Sequence, residues 1–153
     1  MSLFGDTAAG QIRAVGPTHA GVLGALQREC FPAMPWTDAH ACDWLALPTS
    51  HAWICADRTE PVGFVLLQAV ADEAEIVLIG IIPSRQRGGL GARLLTAVSE
   101  TMAAAGIHAL FLEVEVTNEA ALALYRQAGF ADVGSRRDYY GPGRCALILR
   151  RCL

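Results

Sequence analysis

Short apolar runs alternate along the chain with segments whose apolar residues recur every three to four positions. This order predicts the elements β-α-α-β-β-β-α-β-α-β-β, an α/β fold with a mixed, mostly antiparallel central sheet and about four flanking helices. Strands are predicted at 11–15, 52–56, 62–70, 75–82, 109–114, from 130 onward and at 145–149. The run at 109–114 is nearly all apolar, so we expect that strand to be buried on both faces.

Polar residues and glycines mark where the helices begin and end. Thr18 is predicted to cap the first helix, and Thr37 caps a second, short helix after a stiff connection at 31–36 that contains two prolines. The third helix is expected from about Gly89 to Ala105. A fourth begins near Asn118.

Length and composition favour one globular domain over residues 1–153, because 53% of the residues are hydrophobic. No apolar stretch reaches the roughly 20 residues of a membrane span, and the first ten residues do not resemble a signal peptide. A cytoplasmic location is therefore expected. The net charge of −3 and the pI near 5.7 argue against nucleic-acid binding.

Several chemistries are excluded by residue type. All twelve basic residues are arginine, which rules out Schiff-base chemistry and any lysine base. The five cysteines and four histidines show no metal-ligand spacing, so no metal site is predicted.

Residues 79–92 combine a strand, a glycine-rich turn and a helix start, which together form an anion site. No lysine follows the glycines, so this is not a P-loop. Leu94 stands where a dinucleotide fingerprint needs its third glycine. A tight turn without a ligand is the alternative interpretation.

The pattern Gln86-x-x-Gly89-x-Gly91 resembles the pyrophosphate loop of the GNAT acyltransferases, which bind acetyl-CoA. Residues 112–118 and the sequence A-L-Y-x-x-x-G-F at 123–130 resemble the other half of the same acyl-CoA site. Together with Pro-Trp-Thr at 35–37 and Arg-Arg-Asp-Tyr-Tyr at 136–140, they are similar to the bacterial ribosomal-protein-alanine N-acetyltransferases, the RimI type. The resemblance covers about residues 12–149.

This resemblance implies roles for individual residues. Glu113 matches the proton acceptor and Tyr125 the proton donor. Without the resemblance, Glu113 could be a strand-end carboxylate that faces solvent or pairs with an arginine, and Tyr125 a packed aromatic. The residues matched to coenzyme contacts are Ile79, Gly80, Ile81, Gln86, Arg87, Gly88, Gly89, Leu90, Gly91, Ala92 and Asn118.

On the acceptor side, Trp36, Tyr139 and Tyr140 are expected to line a peptide groove, with core packing as the alternative for Trp36 and Tyr139. Arg136 and Arg137 are better explained as a solvated or ion-paired strand edge. The chain departs from the family pattern at Gly80, where a small side chain is usual. It also departs at 115, where a glutamate replaces a common basic residue.

The implied function is direct transfer of acetyl from acetyl-CoA to a protein N-terminus, with the N-terminal alanine of a small-subunit ribosomal protein as the leading substrate. Binding to nucleic acid or membrane is not expected, and the chain is expected to be a monomer or weak dimer. The alternatives are a GNAT enzyme for a small amine or another peptide, and a non-catalytic acyl-CoA-binding module. A dinucleotide oxidoreductase is disfavoured.

Overall fold

The computed structural model describes Phe4 and residues 10–153. It contains seven strands: β1 (Gln11–Val15), β2 (Ser50–Asp57), β3 (Glu60–Val70), β4 (Glu73–Ile81), β5 (Ala109–Glu115), β6 (Ala131–Arg136) and β7 (Ala146–Cys152). Its α-helices are α1 (Ala20–Cys30), α2 (Asp38–Leu45), α3 (Leu90–Ala104) and α4 (Glu119–Gln127). The predicted order of elements is confirmed.

The strands form one sheet in the order β1-β2-β3-β4-β5-β7-β6. Every neighbouring pair is antiparallel except β4 and β5, so the prediction of a mixed, mostly antiparallel sheet is confirmed. Helix α1 packs against β3 and β4, and α3 packs against β2, β3 and β4. Fully buried Leu23, Phe64 and Leu94 belong to the core between these layers. No helix in the described part of the chain is long and apolar enough to cross a membrane.

The parallel pair β4–β5 separates part of the way along. Pairing runs from Glu73 opposite Ala109 to Ile76 opposite Leu112, while both strands continue beyond that point. On the other side of β4, the register with β3 shifts so that Val77 is the extra residue of a bulge. The bulge lies where pairing with β5 ends, which leaves a gap between the C-terminal halves of the two central strands.

Two local predictions were wrong. Thr18 does not cap the first helix, because a 3-10 turn at Pro17–His19 precedes α1 and proline favours this earlier start. Strand β5 is not buried on both faces: Leu110 and Leu112 are buried, but Phe111 and Glu113 are only partly covered. Thr37 does cap α2, since its hydroxyl accepts the N–H of His40 at 3.0 Å.

Candidate active site

A cavity of about 540 Å³ lies where β4 and β5 separate. Residues from both strands, from α4, from the α1–α2 connection and from the β6–β7 connection surround it. Its lining comprises Phe31, Met34, residues 75–79, residues 112–115, Asn118, Ala121, Tyr125, Tyr139, Tyr140 and Arg144. The fold therefore brings Glu113, Tyr125, Asn118, Ile79 and Tyr139 together, although they are widely separated in sequence.

Glu113 occupies the partly covered face of β5, and only 11% of its side chain is exposed. Its Oε1 lies 2.7 Å from Nε of Arg136. The hydroxyl of Tyr139 donates a hydrogen bond to the same carboxylate, and this bond, together with burial, raises the pKa of Tyr139 to about 12. Glu113 thus lines the cavity and is paired with an arginine, as the alternative interpretation of this residue expected. Ion pairing of Arg136 is confirmed.

Tyr125 lies on α4, on the wall of the cavity, with a relative exposure of 8%. Its ring packs edge-on against Phe130 with centroids 6.0 Å apart. Burial, and then the nearby Tyr140, raises the pKa of Tyr125 to about 12. The phenol therefore remains protonated at neutral pH and is able to donate a proton.

The β6–β7 connection is fastened over the cavity by a second arginine–glutamate pair. Arg144 donates to Glu115 through Nε at 2.9 Å and through Nη2 at 2.8 Å, which holds the pKa of Glu115 below its usual value. The Nη1 of Arg144 also donates to the carbonyl of Tyr140. The glutamate that departs from the family pattern thus anchors the segment that carries Tyr139 and Tyr140.

The α1–α2 connection forms another wall of the cavity, and a buried glutamine holds its shape. Gln27 is 1% exposed; its Nε2 donates to the carbonyl of Met34 at 2.8 Å, and its Oε1 accepts the N–H of Trp36 at 2.7 Å. Met34 and Phe31 line the cavity, whereas the Trp36 ring stacks on His40 with centroids 4.4 Å apart. Trp36 shapes this wall from outside the cavity lining.

Gly80 allows α1 to approach β4 closely. A Cβ atom at this position would lie 3.0 Å from Cβ of Cys30 and 3.0 Å from a ring carbon of Phe31. This contact explains why glycine replaces the small side chain expected there, because α1 and Phe31 would otherwise have to move outward.

The glycine-rich loop before α3 leads into the helix through two residues with positive φ. Gly89 is the N-cap with φ +81°, and Arg87 has φ +65°. The first-turn N–H groups of α3 have no intrahelical acceptors and point toward this loop. Arg87 has no ion-pair partner among the described residues, whereas Arg85 is paired with Asp57 at 3.2 Å. Arg87 is therefore a cation of this loop that is available to an anion.

Three further predicted coenzyme residues have structural roles. The Gln86 amide donates to the carbonyl of Ile81 at 3.1 Å, which ties the loop to the end of β4. The side chain of Asn118 accepts the N–H of Ala121 and caps α4 at the edge of the cavity. Gly91 gives α3 room beside α4, because a Cβ there would lie 3.2 Å from Leu124.

Sequence reasoning missed Phe31, Met34, Glu75 and Arg144 as residues of the cavity. Phe31 and Met34 were visible only as part of a stiff connection, and no local pattern places a loop against a distant strand. Glu75 carries a weak signal, since it is a charged residue beside an apolar strand run, and Arg144 carries none.

Known proteins resemble this chain over most of its length. The family described as Acetyltransferase (GNAT) family matches residues 22–130. The [Ribosomal protein bS18]-alanine N-acetyltransferase of Escherichia coli (strain K12) is 42% identical over 77 residues, 50% of this chain and 52% of that protein. The chain thus aligns with about half the length of that relative.

A longer match is to the N-alpha-acetyltransferase RimI of Mycobacterium tuberculosis, 37% identical over 122 residues, 76% of this chain and 75% of that protein. Among solved structures, the ribosomal-protein-S18-alanine N-acetyltransferase of Escherichia coli superposes with a TM-score of 0.84 at 26% identity. That match covers 94% of this chain and 93% of the other.

Proposed function

Because this chain belongs to the acetyltransferase (GNAT) family, we propose that it transfers acetyl from acetyl-CoA directly to the N-terminal amine of a protein. The N-terminal alanine of a small-subunit ribosomal protein is the leading substrate. Support for this choice comes from the names of the relatives that the chain resembles and from the shape and chemistry of the cavity.

The observation that carries the proposal is that Glu113 and Tyr125 line the same cavity, at the gap between β4 and β5. A carboxylate can remove a proton from an attacking amine, and a protonated phenol can supply one to the departing sulfur. The cavity that both groups line has a volume of about 540 Å³, which is room for a reacting pair.

Several residues fit acetyl-CoA. Backbone groups of Ile79, Gly80 and Ile81 lie beyond the point where β4 pairs with β5, so this edge of the strand is available to the pantetheine arm. The loop from Gln86 to Ala92 would hold the pyrophosphate through its N–H groups, with Arg87 adding charge. The thioester supplies an activated acetyl group when the coenzyme is bound.

An N-terminal amine suits the chemistry of this site. A peptide α-amine has a pKa of about 7.7–8.0, so that roughly a tenth of it is neutral at pH 7, whereas a lysine amine near 10.4 is almost wholly charged. A carboxylate base is sufficient for the α-amine. The carboxylate of Glu113 already binds one cation, the guanidinium of Arg136. This ion pair supports a substrate amine that arrives as a positively charged ammonium group.

A transfer assay with two peptides tests the proposal. One peptide begins with the ribosomal-type alanine; the other has its α-amine blocked and an internal lysine free. We expect acetylation of the first peptide alone. Because the protein contains no lysine, acetylation of its own side-chain amines does not add to the background.

Acetylation of the lysine peptide in preference to the first would contradict N-terminal specificity. If neither peptide is acetylated while coenzyme A still binds, a panel of small amines separates an enzyme with another acceptor from a non-catalytic acyl-CoA-binding module.

A further inference from the structure

We propose that Arg136 is an internal competitor of the acceptor amine for the carboxylate of Glu113. In the empty site the guanidinium of Arg136 balances the charge of this carboxylate, and an acceptor that arrives as an ammonium ion replaces it. Arg136 thereby sets how tightly the site holds a positively charged acceptor. This inference rests on the proposed amine acetylation and gives a role in that site to a residue that the sequence placed only at a strand edge.

Arg136 reaches Glu113 from two strands away. It is the last residue of β6 and lies opposite Ala146 of β7, whereas Glu113 lies on β5 opposite Ile148 of the same strand β7. The arginine side chain therefore extends over β7 to bring its Nε within 2.7 Å of the carboxylate. A contact that a long side chain makes across an intervening strand opens by rotation of that side chain, and the sheet does not have to change.

The two partners of this ion pair differ in how much they need each other. Only 11% of the Glu113 side chain is exposed, against 56% of the Arg136 side chain. An exposed guanidinium is solvated when the pair opens, whereas a nearly buried carboxylate without a cation is costly. Glu113 therefore requires a counter-ion while it is ionised, and Arg136 can leave once another cation takes its place.

The ring of Tyr139 offers the guanidinium a second partner beside the first. Cζ of Arg136 lies 5.4 Å from the centre of this ring, within the range of a cation–π contact. The hydroxyl of Tyr139 donates a hydrogen bond to Glu113, so the ring and the carboxylate are held together. Arg136 keeps the ring as a partner when an ammonium ion takes the carboxylate, which lowers the cost of the exchange.

Glu113 is accessible from two sides, so that one cation can leave as the other arrives. It lines the cavity between β4 and β5, and it also lines an open groove of about 550 Å³ over the N-terminal halves of these strands. Arg136 lines the groove, whereas Tyr125 and Ile79 line the cavity. The acceptor amine therefore approaches Glu113 from the cavity, and the guanidinium withdraws into the groove.

The competition affects the reaction because the charged form of the amine is not the reactive form. An ammonium ion has no lone pair with which to attack the thioester, and a carboxylate without another partner would hold the amine tightly in that form. Displacement of Arg136 offsets part of this unproductive binding. Acetylation then produces a neutral amide, which has no charge to balance Glu113, and Arg136 can return to the carboxylate.

The test is the affinity of Arg136→Gln for an N-terminal alanine peptide. Calorimetric titration is carried out with coenzyme A in place of acetyl-CoA, so that no transfer occurs. We expect the Kd of the free-amine peptide to fall by about three- to fivefold relative to the unaltered protein, as is typical when a competing, partly exposed ion pair is removed. The Kd of the same peptide with an acetylated N-terminus should change by less than about twofold, because an amide does not compete for Glu113.

Arg137→Gln is the matched control. Arg137 is the next residue in the chain, is exposed, and has no ion pair among the described residues. The variant removes the same charge from the same surface, and we expect both Kd values to stay within about twofold of those of the unaltered protein. Thermal unfolding of each variant checks that the fold is retained.

A second control places Arg136→Gln in the Glu113→Gln background. If Arg136 acts through Glu113, its loss in this background should leave the Kd of the free-amine peptide unchanged. Simple repulsion between the guanidinium and the ammonium ion would instead persist, and the peptide would still bind more tightly.

Equal affinity of Arg136→Gln and the unaltered protein for the free-amine peptide would overturn the inference and leave the proposed function intact. An equal gain for the acetylated peptide, or an equal gain in the Glu113→Gln background, would overturn it as well. Because these titrations measure binding, a failure of acetyl transfer appears separately, in the assay with two peptides. If the free-amine peptide binds to neither protein, this inference fails together with the proposed acceptor.

Discussion

The guanidinium of Arg136 lies against the carboxylate of Glu113, with Nε 2.7 Å from Oε1. The arginine side chain is 56% exposed, whereas the glutamate is 11% exposed, so the cation comes from the solvent side and the anion from the sheet. Glu113 is thus a residue of the cavity lining that binds a cation. An ammonium substrate would meet the same carboxylate and compete with Arg136 for it.

Replacing Glu113 by glutamine removes the proposed base and keeps its size. We expect kcat to fall by about 10²-fold or more, as is typical for the loss of a general base, and the Kd for coenzyme A to stay nearly unchanged. Steady-state kinetics and calorimetric titration measure the two quantities.

Asp132→Asn is the matched control, because Asp132 is also paired with an arginine, Arg126 at 3.0 Å, but lies on β6 outside the cavity. Turnover by Glu113→Gln that equals that of the control across pH 6–9 would remove Glu113 from the mechanism.

Tyr125→Phe should reduce kcat less than Glu113→Gln does, by several-fold, because a thiol with a pKa near 8.5 already leaves readily. No loss at all would show that Tyr125 only packs against Phe130. Since its pKa is raised to about 12, ionisation of Tyr125 should not appear in the pH–rate profile below pH 10.

The pKa values of all three tyrosines are raised by burial or by neighbouring carboxylates. We therefore expect an ultraviolet titration of the folded protein to show less phenolate at pH 10 than three unperturbed tyrosines would give. The folded pKa values lie above the unfolded value of 10.0. The contribution of the protonated tyrosines to the free energy of unfolding is therefore complete below pH 10 and is lost as the pH rises toward about 12. Ionisation of all three tyrosines with the unperturbed pKa of 10.0 in folded protein would contradict the packing described here.

Arg87→Gln should weaken coenzyme A binding about tenfold or more, since hydrogen bonds to charged groups contribute about 1.5–3 kcal/mol. Arg85→Gln is the matched control, because Arg85 is two residues away in the same loop but already forms ion pairs with Asp57 and Glu60. We expect its Kd to change by less than about threefold. Equal effects from both variants would mean that loop charge in general, and not Arg87 itself, attracts the coenzyme.

Gly80→Ala should destabilise the fold by about 1–3 kcal/mol, because the new methyl group would press on Cys30 and Phe31. Displacement of Phe31 should also raise the KM for the peptide. Gly21→Ala is the control: nothing lies within 4 Å of a Cβ at that helical position, so this variant should be as stable as the original or up to about 1 kcal/mol more stable. Chemical denaturation measures both, and equal stability of Gly80→Ala and the original would contradict the close packing.

The fold was largely predictable from local patterns, because each strand and helix carries its own periodicity and the chain joins them by short turns. Thr37 caps its helix as predicted, since capping depends on three or four consecutive residues. Thr18 does not, because Pro17 starts a turn first. The partly covered face of β5 was not predictable, since Phe111 looks like a core residue in the sequence and its partial exposure depends on how distant elements pack.

The sequence by itself determined the glycine-rich loop before α3. It also placed Glu113 on a strand and Asn118 and Tyr125 at the start and within the helix that follows it, because these features depend on neighbours in the chain. Tertiary structure decided the rest of the site. Phe31, Glu75, Arg136 and Arg144 meet at the cavity because β4 and β5 separate after Ile76 and Leu112 and two connections fold over the gap. Contacts between residues so distant in sequence depend on how whole elements pack, and no local pattern encodes them.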